Sequence, residues 1–203
     1  MIHFVKGVGD MKIHSPIDIF AYRIYKEKLL SHDDIRKMKY AMKVIWNEGV
    51  KFIVLLLFFV VLDQLPSFLF SLSILLSIRV FSGGLHFQSG LLCFMVSLGF
   101  FSLAVLILPH FFPMTLHIAP ILTLLSAIVI YYHSPKPSIF RPIFNKKRKR
   151  TLKYLSLFST LLWFFLLFRF VLPNNQNFFE CGIWTISLQA FQLSIGKNQP
   201  ISE

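Results

Sequence analysis

The strongest constraint on this chain is a series of long apolar runs separated by connections whose positive charge alternates. A helix needs about 20 residues to cross the hydrocarbon core of a bilayer. Six runs approach that length, at roughly 44–62, 65–81, 91–109, 114–132, 154–172 and 178–194. They do not alternate apolar with polar residues, so they do not read as half-buried strands of a soluble domain. With 55% hydrophobic and only 15% charged residues, the chain has too little polar surface to cover a water-soluble globule. The sequence therefore predicts an all-α, polytopic integral membrane helix bundle of about six segments. The first run is interrupted by Asn47, Glu48 and Lys51, and the second and sixth are short. The third and fifth are the clearest.

The charges give the orientation. Lys and Arg crowd residues 1–51, from Lys6 to Lys51. The next connection, at Asp63 and Gln64, has none. Arg79 marks the one after it, and the connection from Pro109 to His117 again has none. Lys136, Arg141 and the run NKKRKR from Asn145 to Arg150 follow, then an uncharged PNNQN turn at 173–177, then Lys197 in the tail. Basic residues thus fall in every second connection, and the positive-inside rule places both termini in the cytosol. The formal net charge of +12 lies outside the apolar runs, where anionic lipid accounts for it. There is no aromatic-and-basic module of the nucleic-acid-binding kind, so no nucleic acid partner is expected. The opening MIHFVKGVGD lacks the apolar core and small-residue cleavage site of a signal peptide.

Residues 1–43 form a cytoplasmic-side amphipathic region and residues 44–203 the membrane domain. Ile17, Phe20, Ala21 and Ile24 follow helical spacing beside Arg23, Lys26 and Lys28. Ser31 with Asp34 reads as a helix start, and Ile35, Met38, Met42 and Ile45 then recur at three and four residues. Two amphipathic helices on the inner membrane surface fit this pattern, as does packing on the bundle or on a second subunit. SPKPSIFRPIF at 134–144 reads as a proline-broken loop, and the basic run after it as a topology anchor.

The compact set of reactive groups is RVFSGGLHFQSGLLC, from Arg79 to Cys93. Gly83 and Gly84 allow backbone angles that other residues resist and mark where the second segment ends. His86 follows, and Cys93 opens the third segment. In one continuous helix His86 and Cys93 would share a face but stand about 10.5 Å apart along the axis. A functional pair therefore needs His86 on a loop that folds back over the helix start, which the flanking glycines permit. A free thiol is mostly protonated at neutral pH. A nearby histidine, a helix N-terminus and a positive charge such as Arg79 all favour the thiolate, which is the logic of a Cys–His nucleophile. The plain alternatives are a cysteine that fills apolar space and an interfacial histidine. Cys93 and Cys181 form no CxxC pair and no metal spacing, and Cys181 reads as a packing residue.

Arg79, Gly83-Gly84, His86 and Cys93 resemble the R-x(4)-G-G-x-H-x(6)-C signature of the AgrB family, the accessory gene regulator B membrane peptidases. The chain length, the basic amphipathic N-terminal region, the Pro-plus-basic loop and the last apolar segment with its Gln, IWTISLQAFQL, also fit. Leu85 stands where that family often has an aromatic, and the middle loop is only loosely similar. The resemblance implies a cysteine endopeptidase of the bacterial cytoplasmic membrane that acts in quorum sensing. Its substrate would be a short AgrD-like propeptide with an amphipathic leader and an acidic tail. Cys93 would attack at the tail junction and His86 would assist. A thioester on Cys93 would then close into a cyclic thiolactone or lactone autoinducing peptide. The resemblance also implies a homodimer and a reaction without metal or other cofactor.

Supporting roles fall to Gly83 and Gly84 in the turn and to Arg79 as a substrate-binding, loop-orienting or snorkelling cation. Gln88 could supply an oxyanion donor. Glu48 is the one carboxylate near a cytoplasmic segment end, a position where it could orient His86 or simply pair with Lys51. A site at the cytoplasmic face suits a cytosolic propeptide, and the basic residues there suit its acidic tail. Two other classes compete. A small transporter would place polar groups near the midplane, whereas the centres of segments three to five are almost wholly apolar. A non-enzymatic scaffold would tolerate loss of Cys93 and His86.

Overall fold

The computed structural model describes residues 32–84, 90–136 and 145–195, and their regular elements are helices, without strands. The helices are α1 (His32–Val61), α2 (Leu65–Ser82), α3 (Gly90–Phe111), α4 (Ile118–His133), α5 (Lys146–Val171) and α6 (Gln176–Ile195). The chain divides into two compact units, one up to Val54 and one from Leu55.

The first unit holds most of α1. The predicted amphipathic segment around 35–45 and the first apolar run are here one unbroken helix. Asn47, Glu48 and Lys51 do not interrupt it, because Lys51 Nζ lies 2.6 Å from Glu48 Oε1 one turn back, and a paired i,i+3 couple is compatible with a helix. The other predicted amphipathic helix, around 17–28, lies outside the described residues.

The second unit begins with Leu55 and Phe59 and continues through α6. A tight reversal at Leu62–Gln64 joins α1 to α2. Asp63 takes a positive φ of 55° there, and Gln64 N donates to Phe59 O at 2.9 Å. The turn sets Phe59 and Phe68 face to face, centroids 4.6 Å apart, with Phe101 of α3 edge-on to Phe68. A second buried cluster joins Ile74 and Ile78 of α2, Ile130 of α4, Leu167 of α5 and Ile183 and Ile186 of α6.

α6 is the centre of this unit, packed on α2, α4 and α5. Gly182 permits the approach, since a Cβ there would lie 2.6 Å from a Leu167 methyl and 3.1 Å from Ile74. Most of α6 is enclosed by protein, from Phe179 to Ala190, while Phe191 and Ile195 are exposed, so a polar residue such as Gln189 can be carried in its packed faces.

The polarity is inverted relative to a soluble protein. Ser71, Ser82, Thr123, Thr160, Thr185 and Gln189 are buried, while Ile121, Leu124, Leu125, Phe158, Leu162 and Phe165 point outward. Small hydroxyls link the helices from within. Trp163 Nε1 donates to Ser77 Oγ at 2.6 Å, and Ser159 Oγ to Ser77 O at 3.2 Å. Such interhelical bonds are the glue of membrane bundles, and an apolar surface of this extent has no place in water. Three helices, Leu65–Ser82, Gly90–Phe111 and Lys146–Val171, are long and apolar enough to cross a membrane, and Ile118–His133 is apolar but shorter.

Two of these helices contain a wide, π-helical turn. In α3 it spans Leu103–Ile107, closed by the Leu108 N–H on Leu103 O. In α5 it spans Leu167–Val171, with Leu172 N 2.8 Å from Leu167 O. Pro109 has no N–H for the Val105 carbonyl one turn back, and the Cys181 thiol approaches that oxygen at 4.0 Å. Cys181 is fully buried in the core, as a packing residue should be.

Candidate active site at the Gly83–Gly84 turn

α2 ends where the sequence places its reactive motif. Gly83 N donates to Arg79 O at 2.9 Å and closes the helix. Gly83 has φ 73° and ψ −159°, a region open essentially to glycine alone. A Cβ at this position would also collide with the Lys136 carbonyl. Gly84 has a different place: a Cβ there would stand 2.8 Å from Arg79 Nε, so the guanidinium arm lies against the bare backbone. The two glycines thus serve separate ends, one conformational and one steric, and Arg79 and Gly84 are brought together directly.

The turn is held from two directions. On one side, Lys136 N donates to Ser82 O at 3.0 Å, so the segment leaving α4 pairs with the end of α2. Burial there lowers the pKa of Lys136 below 10.5. On the other side α6 contributes Gln189, fully buried. Its Nε2 donates to Ser82 Oγ at 3.1 Å and to Gly83 O at 3.0 Å. Ser82 Oγ in turn donates to Gly83 O at 3.1 Å. The Gly83 carbonyl therefore accepts from two side chains.

Beyond the turn, α3 starts at Gly90 and carries Cys93 in its first helical turn, free and half-buried. His86 and Gln88 lie outside the described residues. Glu48 belongs to the first unit and pairs with Lys51. Arg79, Gly83 and Gly84 form one assembly, and Cys93 opens the next helix.

Sequence reasoning missed Ser82, Lys136 and the contact made by Gln189. A weak signal was present: a glutamine in an apolar run needs a partner, and so does a serine beside a chain reversal.

Comparison with known proteins shows the family. A protein-family model for Accessory gene regulator B matches residues 17–193. An AgrB-like protein of Clostridium beijerinckii is 31% identical over 166 residues, which is 82% of this chain and 80% of that protein. No solved structure matches. The match runs from before α1 into the last turn of α6 and takes in the Gly83–Gly84 turn and Cys93, and the chain, with three helices long and apolar enough to cross a membrane, belongs to the Accessory gene regulator B family.

Proposed function

We propose that this protein is a membrane cysteine endopeptidase that processes a short AgrD-like quorum-sensing propeptide. The observation that carries the reading is the braced Gly83 turn followed by Cys93 in the first turn of the next helix. A backbone in a region open to glycine alone, braced from two sides three residues before a histidine and ten before a thiol, is the kind of over-determined conformation that clusters at functional sites.

In the reaction, His86 takes the Cys93 proton and Cys93 Sγ attacks the carbonyl carbon at the junction of signal and tail. The C–S bond forms and the C–N bond breaks. The tail leaves as an amine, protonated by His86, and the signal stays as a thioester on Cys93. The propeptide's own thiol or hydroxyl then attacks this thioester, the enzyme C–S bond breaks, and a cyclic thiolactone or lactone departs with the Cys93 thiol restored. Thioester exchange is nearly isoenergetic, so ring closure follows only where water does not hydrolyse the Cys93 thioester first. Gln88 is a donor for the oxyanion, Gly83 and Gly84 shape the turn, and Arg79 orients substrate or His86.

All six helices cross the bilayer with both termini cytoplasmic, which puts the site near the cytoplasmic face. The basic N-terminal half of α5, whose start is capped by Asn145 Oδ1 accepting from Lys147 N at 2.8 Å, then meets anionic lipid and the acidic tail. The working unit is a homodimer.

The test is reconstitution in liposomes with the propeptide encoded beside this chain, read by intact-mass spectrometry. Wild type releases the tail and carries a hydroxylamine-sensitive adduct on Cys93. Cys93→Ala does neither, and His86→Ala is strongly impaired. Equal tail release by Cys93→Ala would sink the nucleophile assignment.

A further inference from the structure

Gln189 lies on α6, 106 residues from the turn it touches, and its carboxamide is oriented without ambiguity. The Gly83 carbonyl can only accept, so the nitrogen of the amide must face it. The two Nε2 hydrogens then go to Gly83 O and Ser82 Oγ, at 3.0 and 3.1 Å. The Ser82 proton is left for Gly83 O at 3.1 Å. These three bonds close a small ring in which every hydrogen has one destination. Gln189 Oε1 meets no donor among the described residues although the side chain is fully buried. A buried amide that leaves its acceptor idle is poorly explained as general packing glue, because an apolar side chain of similar shape would avoid that penalty. Its donors are what the fold retains.

We propose that Gln189 is a positioning residue for the Cys93–His86 pair: by fixing the Gly83 carbonyl it sets the direction in which the chain leaves α2 toward His86. This rests on the peptidase reading above. Gly83 is the pivot, since its ψ decides where the following peptide plane points. A glycine carbonyl held by one bond would swing through many angles. Held by Gln189 and Ser82, with Lys136 N on the preceding carbonyl, it has one. The central helix of the bundle thereby acts on the turn that ends α2.

The experiment uses the full chain in liposomes and iodoacetamide as probe. The rate of Cys93 alkylation is measured against pH by peptide mapping for wild type, His86→Ala, Gln189→Met, Ser82→Ala and Ser126→Ala. Gln189→Met keeps length and bulk but removes both donors. Its alkylation rate at pH 7 should fall about 10-fold, the equivalent of one good hydrogen bond, and its pH profile should shift in the direction of His86→Ala. Ser82→Ala should shift the same way by less. Ser126→Ala loses an interhelical contact to Ser187 (3.4 Å) away from the turn, and should keep the wild-type profile.

If His86→Ala shifts the profile and Gln189→Met does not, the positioning role is wrong and the peptidase reading stands. If His86→Ala itself is wild-type, the Cys–His pairing is wrong and the positioning role falls with it. If all the core variants shift alike, Ser126→Ala included, the effect is general loosening and the proposal is overturned. Should Gln189→Met fail to fold, Ser82→Ala decides, and a wild-type profile there refutes the clamp.

Discussion

Replacing Gly83 with alanine separates a turn that merely ends a helix from one that the reaction depends on. At φ 73° and ψ −159° a residue with a Cβ is strained by about 1–3 kcal/mol. The new methyl would also overlap the Lys136 carbonyl, which is backbone and cannot rotate aside. Relief requires moving the 134–136 segment and giving up the 3.0 Å Lys136 N–Ser82 O bond, worth about 0.5–1.5 kcal/mol net. Together these come to about 2–4 kcal/mol against the native turn. If the native turn is the active one, propeptide cleavage falls by about 30-fold to about 1,000-fold. Gly84→Ala is the internal control. The three atoms nearest its methyl all belong to the Arg79 side chain, the closest being Nε at 2.8 Å, and a side chain can yield where a backbone carbonyl cannot. The assay is the initial rate of tail release in liposomes, with helical content checked by circular dichroism. A Gly83→Ala protein within threefold of wild type, or a Gly84→Ala protein that is the worse of the two, would refute the reasoning.

Other outcomes follow from the same contacts. Trp163→Phe keeps the ring beside Phe70, centroids 5.9 Å apart, but loses the 2.6 Å bond to Ser77 Oγ. A double-mutant cycle with Ser77→Ala in detergent unfolding should give a coupling of about 0.6–1.7 kcal/mol, and a coupling of zero contradicts the contact. Lys136 gives a pH signature. Burial lowers its pKa in the folded protein, so between that value and 10.5 the unfolded chain holds more protons and stability rises with pH. The cost of a charged Lys136 is present below this window. Lys136→Met should therefore gain most over wild type near neutral pH and progressively less as the pH approaches 10.5. A difference in unfolding midpoint that does not change with pH removes the burial argument.

The helices were legible because hydropathy is a direct measure of what lipid tolerates. The runs at 65–81 and 91–109 correspond to Leu65–Ser82 and Gly90–Phe111. The fourth run starts at Ile118 rather than 114, after the proline and polar residues near its predicted start. The fifth helix begins earlier than its apolar run, because lysines and arginines are good helix formers and Asn145 caps them. The fusion of the second amphipathic segment with the first run into α1 was hidden, since charges that interrupt an apolar pattern need not interrupt a helix. At the site, the Gly83–Gly84 turn and the position of Cys93 could be read from residue type and spacing. The Gln189 clamp could not. In a bundle lined by lipid the apolar residues face both ways, so periodicity does not say which face of α6 meets which partner. A contact over 106 residues, such as Gln189 to Gly83, leaves no local trace.

The wide turns in α3 and α5 put residue number and compass bearing out of step. An i→i+5 closure takes up one residue more than an α-helical one, and each residue of an α-helix advances the bearing by about 100°. A wheel drawn through Gly90–Phe111 as a single regular spiral is true up to Ser102 and a notch out of phase past Ile107. The same slip occurs in Lys146–Val171 after Leu166. Losing one residue inside either turn would tighten the coil locally, whereas losing one elsewhere in these helices would swing everything downstream to a new side.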